Sequence, residues 1–386
     1  MKKGIFGYIN LSLLQTIVKG SGVFYFVLLP VFYEEHIVNK LAVGYWGGLF
    51  IFFLILGAFV IAKWAHRASV KKIMIGSSLL LILAAVILYA GYLVLSQSLL
   101  MCAFIIAGFG VGIGMSGVNT LAGHMTKPGD RYTTLAALFM MTDLARIIFP
   151  LIVSGAIYLG FKQIPLLCII FISCLSLVLS WVLPNIQSAK TLSKEKDLQP
   201  LRKNKTFLYT LVFEFLDSLA SSQLFVFLPF IFLAKGYSLE SSILLQSCIF
   251  GGYLCGRWVI GFFAKRSSGT IALMYSEFLM GVLLILLLIT SNIVLLYVLT
   301  FILGIFARGT SPVIKGLTFD ALPSEHMTKG SAMHVIAGDS GSAIGQFVFG
   351  LLFAWYSAQA PFIAAIAVSF LISVLLLIKP VKITFV

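Results

Sequence analysis

Long apolar stretches separated by short polar segments make up almost the whole chain. Twelve of these stretches are long enough to cross a bilayer as a helix, which takes about 20 apolar residues. Their predicted bounds are 8–33, 41–63, 72–95, 99–123, 133–159, 163–183, 206–234, 240–264, 270–290, 293–317, 328–356 and 360–379. The pattern therefore predicts an all-α integral membrane protein with twelve transmembrane helices.

One long polar segment divides the apolar stretches six and six. It runs from Pro184 to Lys205 and carries six basic residues against two acidic ones, Glu195 and Asp197. Basic loops tend to stay on the cytoplasmic side of a membrane. The segment therefore predicts a cytoplasmic linker, 184–205, between an N-terminal six-helix bundle, 1–183, and a C-terminal six-helix bundle, 206–386.

Composition agrees with a membrane location, because 60% of the 386 residues are hydrophobic and 10% are charged. The formal net charge of +14 is typical of nucleic-acid-binding proteins, but the basic residues lie at the ends of apolar segments rather than on one face. With both termini inside, 19 lysines and arginines fall in inner segments and 3 in outer loops, Lys40, Lys162 and Lys235. This bias predicts a protein of the cytoplasmic membrane with both termini in the cytoplasm and no nucleic-acid partner.

The two halves of the chain repeat each other. The sequence FVLLPVF at Phe26–Phe32 corresponds to FVFLPFIF at Phe225–Phe232, and Asp143 in the fifth span corresponds to Asp339 in the eleventh. The offsets between matching positions are 196 to 199 residues. Parallel repeats of this kind predict a substrate site near the membrane midplane, between the halves.

The loop after the second span of each half carries a degraded copy of the motif Gly-x-x-x-Asp-Arg-x-Gly-x-Lys/Arg-Lys/Arg. The corresponding residues are Ala62, His66, Arg67, Ser69, Lys71 and Lys72 in the first half, and Gly261, Lys265, Arg266 and Gly269 in the second. With the twelve spans and the basic central loop, this pattern resembles the major facilitator superfamily over nearly the whole chain. The resemblance implies two six-helix bundles, alternating access and a cytoplasmic gate at these loops. His66 replaces the acid of the family motif, which makes it either a pH-dependent latch or a solvated loop residue.

Ten ionisable residues fall inside the predicted spans, where a charge is costly unless it is paired or hydrated. Five are basic and five are acidic, so complete mutual pairing is the structural alternative to a functional role. They are Lys19, Arg146, Arg257, Arg308, Lys315, Asp143, Glu214, Asp217, Glu277 and Asp339.

Glu214 and Asp217 are the leading candidates for proton coupling. They are three residues apart and therefore share one face of the seventh span. Two carboxylates on one buried face repel each other, which suits a site that takes up and releases a proton. The alternative is a salt bridge to Lys19 or Arg257. The resemblance implies that the first and seventh spans line the cavity, which makes Gln15 and Lys19 candidates for substrate binding.

Further charged residues have weaker assignments. Arg308 lies deep in the tenth span and is a candidate for holding an anionic group of the substrate. Asp143 and Asp339, at matching places, are candidates for proton coupling, for gating at the cytoplasmic end or for substrate contact. Arg146 follows Asp143 by three residues, so the two are expected to pair along the helix.

Two further expectations concern packing. Arg257 and Glu277 are expected to pair between the eighth and ninth spans. The fourth span carries Gly108-x-x-x-Gly112 and Gly110-x-x-x-Gly114, a spacing that lets helix backbones approach closely.

These observations predict a secondary active transporter, because the sequence has no ATP-binding motif. No cofactor and no metal are expected. We expect protons to drive export of a small amphipathic or drug-like molecule or metabolite. Import of a small polar or zwitterionic solute and lipid flipping are alternatives within transport. An integral-membrane enzyme or sensor is the alternative from another class, but the histidines and cysteines show no catalytic or metal-ligand spacing. A monomer is expected, because each chain would contain a complete pathway.

Overall fold

The computed structural model describes residues 2–64, 69–125, 131–183, 203–221, 224–322 and 327–378. Fourteen α-helices form the regular secondary structure of these residues. They are α1 (Lys2–Glu34), α2 (Lys40–Trp64), α3 (Val70–Leu93), α4 (Gln97–Met125), α5 (Arg131–Tyr158), α6 (Ile164–Val182), α7 (Lys205–Ser221), α8 (Leu224–Ala234), α9 (Leu239–Arg266), α10 (Gly269–Ile289), α11 (Ile293–Gly309), α12 (Ser311–Asp320), α13 (Met327–Trp355) and α14 (Ala360–Ile378).

Twelve stretches of these helices are long and apolar enough to span a membrane. The seventh span combines α7 with α8, and the tenth combines α11 with most of α12. The predicted all-α architecture with twelve spans is therefore confirmed. Most of the linker, 184–202, lies outside the described residues.

The chain divides into two compact units. Unit 1 comprises 1–191 with 239–247, and unit 2 comprises 192–238 with 248–386. Within unit 1, α1 packs on α5, α2 on α4 and α3 on α6. Within unit 2, α7 packs on α13 and α10 on α14, and glycines bring α9 against α11. The three helix pairs of unit 1 therefore recur at matching positions in unit 2.

Glycines set the close approach of α4 to α2. A Cβ atom added at Gly108 would overlap the carbonyl oxygen of Phe50, and one added at Gly112 would overlap that of Leu54. The predicted packing role of this Gly-x-x-x-Gly pair is thus confirmed, since any side chain would push the two backbones apart.

The matching helix pair in unit 2, α9 and α11, also approaches closely at two glycines. A Cβ at Gly252 would overlap the carbonyl oxygen of Phe301, and one at Gly256 would overlap that of Ile305. Both glycines lie on α9 and both carbonyls on α11. The internal repeat therefore extends to the atoms that fix the helix spacing.

The first span of each unit is its central helix. In the most apolar window of each span, 83% of the residues are buried in α1 and 75% in α7 with α8, against at most 56% in the other ten. Polar side chains on α1 and α7 are therefore surrounded by protein rather than by lipid. This position makes them the natural starting point for a functional site.

Both central spans end in the same turn. His36, with φ of 58°, and Gly236, with φ of 84°, follow α1 and α8 in the left-handed conformation. In each turn the next amide donates to a carbonyl five residues back, Ile37 to Phe32 and Tyr237 to Phe232. This is the Schellman ending of a helix, which satisfies carbonyls that the helix leaves without partners.

Each turn contains a charged residue just before its left-handed position, and this residue differs between the units. In unit 1, Glu35 accepts hydrogen bonds from Lys162 Nζ at 2.7 Å and from Tyr92 Oη at 3.0 Å. In unit 2, Lys235 Nζ donates to the carbonyl oxygens of Leu287, Leu288 and Thr290 at the end of α10. Such cations stabilise the carboxyl end of a helix. Side-chain hydrogen bonds of Glu35 in unit 1 and of Lys235 in unit 2 thus connect the end of the central span to the end of a neighbouring helix.

Candidate functional site

The site is centred on the buried face of α7 in unit 2. Glu214 is 6% exposed, and Asp217 and Ser218 are not exposed. Their spacing of three and four residues puts them on one side of the helix. Ser218 Oγ lies 3.4 Å from Glu214 Oε1 and donates to it. The expected shared face therefore exists and points into the interior of the unit.

A break between α11 and α12 supplies a hydroxyl to this face. Thr310, fully buried at the break, donates from Oγ1 to Asp217 Oδ1 at 3.0 Å. Pro312 accounts for the break, because proline has no amide hydrogen for the carbonyl of Arg308 and its ring clashes there. Broken membrane helices are frequent at binding sites, since their ends expose polar groups inside the bilayer.

Glu277 on α10 brings a further carboxyl to Asp217. Its side chain is completely buried, and the two carboxyl groups lie within hydrogen-bonding reach of each other. When both are ionised, neither Glu277 oxygen accepts a hydrogen bond from the described residues. Ionised carboxylates are acceptors, so they can bond to each other only when a proton lies between them. The pair thus has the chemistry of a proton-binding dyad.

Arg308 is the cation at the centre of this group. It lies in the last turn of α11, and its Nη1 donates to Ser218 Oγ at 3.3 Å. Its guanidinium interacts electrostatically with Glu214, Asp217 and Glu277. Arg308 therefore stabilises ionised carboxyl groups on two neighbouring helices at once.

A second branch of polar contacts leads from Glu214 to α12 and α13. His334 Nε2 lies 3.5 Å from Glu214 Oε2, and its Nδ1 lies 3.2 Å from Thr318 Oγ1. Lys315 and Asp339 also interact electrostatically with Glu214. His334 is thus in direct contact with the acidic group.

We define the acidic cluster as Glu214, Asp217, Glu277 and Asp339. Arg308 and Lys315 supply two positive charges beside these four carboxyl groups. With every group ionised, the three buried carboxylates, Glu214, Asp217 and Glu277, outnumber these two cations. An excess charge away from water is unfavourable. The cluster is therefore suited to bind protons, a cationic group, or each in turn.

The candidates of unit 1 lie in a less acidic setting. Lys19 is 9% exposed and Asp143 is fully buried. Arg146 Nη1 lies 3.4 Å from Asp143 Oδ1, which gives the ion pair expected from their spacing. Gln15 lies on α1, but its side chain is outside the described residues. Substrate binding by Gln15 and Lys19 stays a prediction.

The described part of the loop motifs lies at helix ends. His66 and Arg67 are outside the described residues, and Ala62 lies in the last turns of α2. Lys71 and Lys72 begin α3, where Ser69 caps the helix by accepting from the amide of Lys72. Their role in gating stays a prediction.

The second copy of the motif ends α9. No heavy atom lies within 4 Å of a Cβ added at Gly261, so close packing does not require this glycine. Lys265 and Arg266 are exposed, and the guanidinium of Arg266 lies 4.2 Å from the Phe262 ring centre. The copies in both units thus place basic residues at the end of a helix that is long and apolar enough to span a membrane.

Sequence reasoning missed three contributors to the site. The first is Glu277, which the structure places against Asp217. Its expected pairing with Arg257 stays a prediction. Thr310 was not singled out, although Pro312 in an apolar stretch signals a break. Gly338 was also missed. A Cβ there would lie 2.5 Å from Glu214 Oε1, so this glycine leaves room for the carboxyl group.

Comparison with known proteins gives one family and a set of similar folds. The family model described as Major Facilitator Superfamily matches residues 11–282 and 214–383. No curated protein matches the sequence. A solved D-xylose-proton symporter has a TM-score of 0.79 at 13% identity and covers 99% of this chain and 100% of its own. The structure of a POT family transporter in complex with 5-aminolevulinic acid has a TM-score of 0.79 at 14% identity, and the match covers 98% of this chain and 97% of that transporter. The structure of the nucleoside transporter NupG has a TM-score of 0.77 at 15% identity, and the match covers 96% of this chain and 98% of NupG. These similarities show the fold.

Proposed function

The chain belongs to the Major Facilitator Superfamily, and on that premise we propose that it is a proton-coupled exporter of small amphipathic compounds that carry a positive charge. The family assignment makes it a secondary transporter of twelve membrane spans. The proposal adds the driving ion, the direction and the substrate class. It rests on one observation, the acidic cluster of unit 2, in which Glu214, Asp217 and Glu277 are buried.

The cluster supports proton coupling through its carboxyl pairs. A proton between Asp217 and Glu277 converts a repulsive contact into a hydrogen bond. Loss of that proton leaves two adjacent carboxylates, which Arg308 and Thr310 stabilise in part. The free energy of the site therefore depends on whether a proton is bound, as coupling requires.

The same cluster supports antiport. A cationic substrate and a proton relieve the same excess of negative charge, so each weakens the binding of the other. In an alternating-access cycle, a proton that enters from one side releases the substrate there, and a substrate that binds on the other side releases the proton. An apolar body would suit the surroundings, since Phe213 and Ile314, the chain neighbours of Glu214 and Lys315, belong to a buried apolar cluster.

Proteoliposomes with imposed pH gradients test both coupling and direction. If protein in vesicles that are acidic inside accumulates a lipophilic cation such as tetraphenylphosphonium above the level in empty vesicles, antiport is supported. Accumulation with acid outside would indicate symport, and would replace the exporter with the second candidate below. Asp217→Asn with Glu214→Gln should abolish uphill transport, because it removes two of the carboxyl groups for which the proton and the cation compete. If this double variant still concentrates the cation under a pH gradient, the coupling assignment is wrong.

A proton-coupled importer of a small polar or zwitterionic solute is the second candidate. It is favoured by the shared fold with a D-xylose-proton symporter and by Arg308, which can hold an anionic group when the carboxyl groups are protonated. The importer requires accumulation with acid outside and competition by zwitterions rather than by lipophilic cations.

We also propose that the protein is a monomer of the cytoplasmic membrane with both termini inside. The bias of 19 inner to 3 outer basic residues supports this orientation. A reporter that is active only in the cytoplasm, fused to Val386, should be active. An inactive reporter with normal protein levels would contradict the orientation.

A further inference from the structure

Unit 2 contains a groove on the side of α10 that faces away from the acidic cluster. It lies between α9, α10 and α11, has a volume of about 340 Å³, and is lined by Val259, Phe263, Tyr275, Leu279 and Phe306 among others. Val259 is 49% exposed and Tyr275 is 50% exposed. Both lie within membrane-spanning segments. The groove is therefore open toward the region that lipid acyl chains occupy.

The lining is almost entirely apolar and includes two aromatic rings in contact. The rings of Phe263 and Tyr275 meet edge to face, with centroids 6.4 Å apart, and join α9 to α10. The groove volume falls in the range of sites that hold small organic ligands. An apolar chain fits this lining, whereas a polar solute would find few hydrogen-bond partners in it.

One end of the groove has a basic rim. Phe263 lies one turn before the end of α9, which finishes with the exposed pair Lys265 and Arg266. Arg266 lies over the Phe262 ring, at 4.2 Å from its centre, which holds the guanidinium at the membrane surface. The amino end of α10, capped by Ser268, adds the positive end of a helix dipole at the same level.

From the apolar groove and its basic rim we propose a binding site for an acidic phospholipid. One acyl chain occupies the groove between α9 and α10, and the phosphate is held by Lys265 and Arg266. Basic pockets between membrane helices recognise anionic headgroups in this way. The chain contacts and the headgroup contacts come from adjacent turns of α9, so a single lipid satisfies both.

The position of the site gives it a means of regulating transport. Ser276 lines the groove, and the next residue, Glu277, faces Asp217. Phe306 lines the groove, and Arg308, two residues later, contacts Ser218. A chain in the groove therefore supports the same two helices that hold the acidic cluster. This regulatory step rests on the proposed function, but lipid binding does not.

Native mass spectrometry of the purified full chain measures the binding without transport. Phosphatidylglycerol and phosphatidylcholine with identical acyl chains are titrated separately. We expect stronger binding of phosphatidylglycerol. Lys265→Gln with Arg266→Gln should weaken that binding roughly tenfold to thirtyfold, because each basic residue at a membrane surface contributes about one factor of five. Val259→Trp, which fills the exposed side of the groove, should weaken binding of both lipids.

Lys71→Gln with Lys72→Gln is the matched control, since it removes two basic residues from the corresponding motif of unit 1. This variant should change phosphatidylglycerol binding by less than a factor of two. Equal losses in the two double variants would mean diffuse attraction to anionic lipid and would overturn the site. Unchanged binding in Val259→Trp would also overturn it. Identical elution of the variants and the wild type on gel filtration ensures that the comparison is made on folded protein.

Discussion

The carboxyl groups of Asp217 on α7 and Glu277 on α10 lie within hydrogen-bonding reach of each other in the interior of unit 2. The two residues are far apart in the chain, and both side chains are fully buried. With a proton between them they attract, and without it they repel. The contact between α7 and α10 therefore depends on the occupancy of a single proton site, which is a local means of coupling protonation to helix position.

Replacement of Glu277 by glutamine should lock this contact. The amide of Glu277→Gln can donate permanently to Asp217, so the pair no longer needs a proton. We expect uphill transport in proteoliposomes to fall to the level of empty vesicles, with exchange of substrate across the membrane preserved. Glu34→Gln, at the exposed end of α1, is the control and should transport normally. Uphill transport by Glu277→Gln at the wild-type rate would exclude a coupling role for the dyad.

The hydroxyl of Thr310 should be required for the same site. Thr310→Val keeps the shape of the side chain but removes the hydrogen bond to Asp217 Oδ1. Hydrogen bonds to charged groups contribute about 1.5–3 kcal/mol, so we expect uphill transport to fall by roughly tenfold to a hundredfold. Thr310→Ser retains the hydroxyl and should restore most of the activity. The measurement is the initial rate at a fixed pH gradient, and equal rates for the valine and serine variants would show that the hydroxyl has no role.

Gly338 should tolerate no side chain, because of its contact with Glu214. The methyl group of Gly338→Ala would lie 2.5 Å from Glu214 Oε1 and 3.2 Å from Ser218 Oγ, so the carboxyl group must move. We expect reduced uphill transport with a normal amount of folded protein in the membrane. Gly316→Ala is the matched control, since no heavy atom lies within 4 Å of its added Cβ. Similar transport by the two variants would mean that the position of Glu214 is unimportant.

The sequence was sufficient to predict most of the fold. The length of the apolar stretches gives twelve spans, and the bias of basic residues gives an expected orientation. The spacing of Gly108 and Gly112 even indicated which face of α4 approaches another backbone. These features are local or periodic, so they can be recognised without knowing which helices are neighbours.

The composition of the site was only partly predictable, because it depends on contacts between distant helices. The shared face of Glu214 and Asp217 follows from their spacing, and so does the Asp143–Arg146 pair. Nothing in the spacing of Glu277 shows that it lies against Asp217, because the two residues belong to spans that are not consecutive in the chain. Thr310 and Gly338 carry no charge, and their importance appears only in the distances to two carboxyl groups.

The turn at Gly236 allows a test of the fold that is independent of transport. A glycine-to-alanine change has opposite expected effects at two positions. At Gly236, φ is 84°, and an alanine there would have to adopt the left-handed conformation, which costs about 1–2 kcal/mol. At Gly155, inside α5, no heavy atom lies within 4 Å of an added Cβ, and alanine is favoured over glycine in a helix by about 1 kcal/mol. We therefore expect Gly236→Ala to lower the midpoint of thermal unfolding in detergent and Gly155→Ala to raise it. A rise for Gly236→Ala would contradict the left-handed turn, and with it the correspondence between the ends of the two central spans.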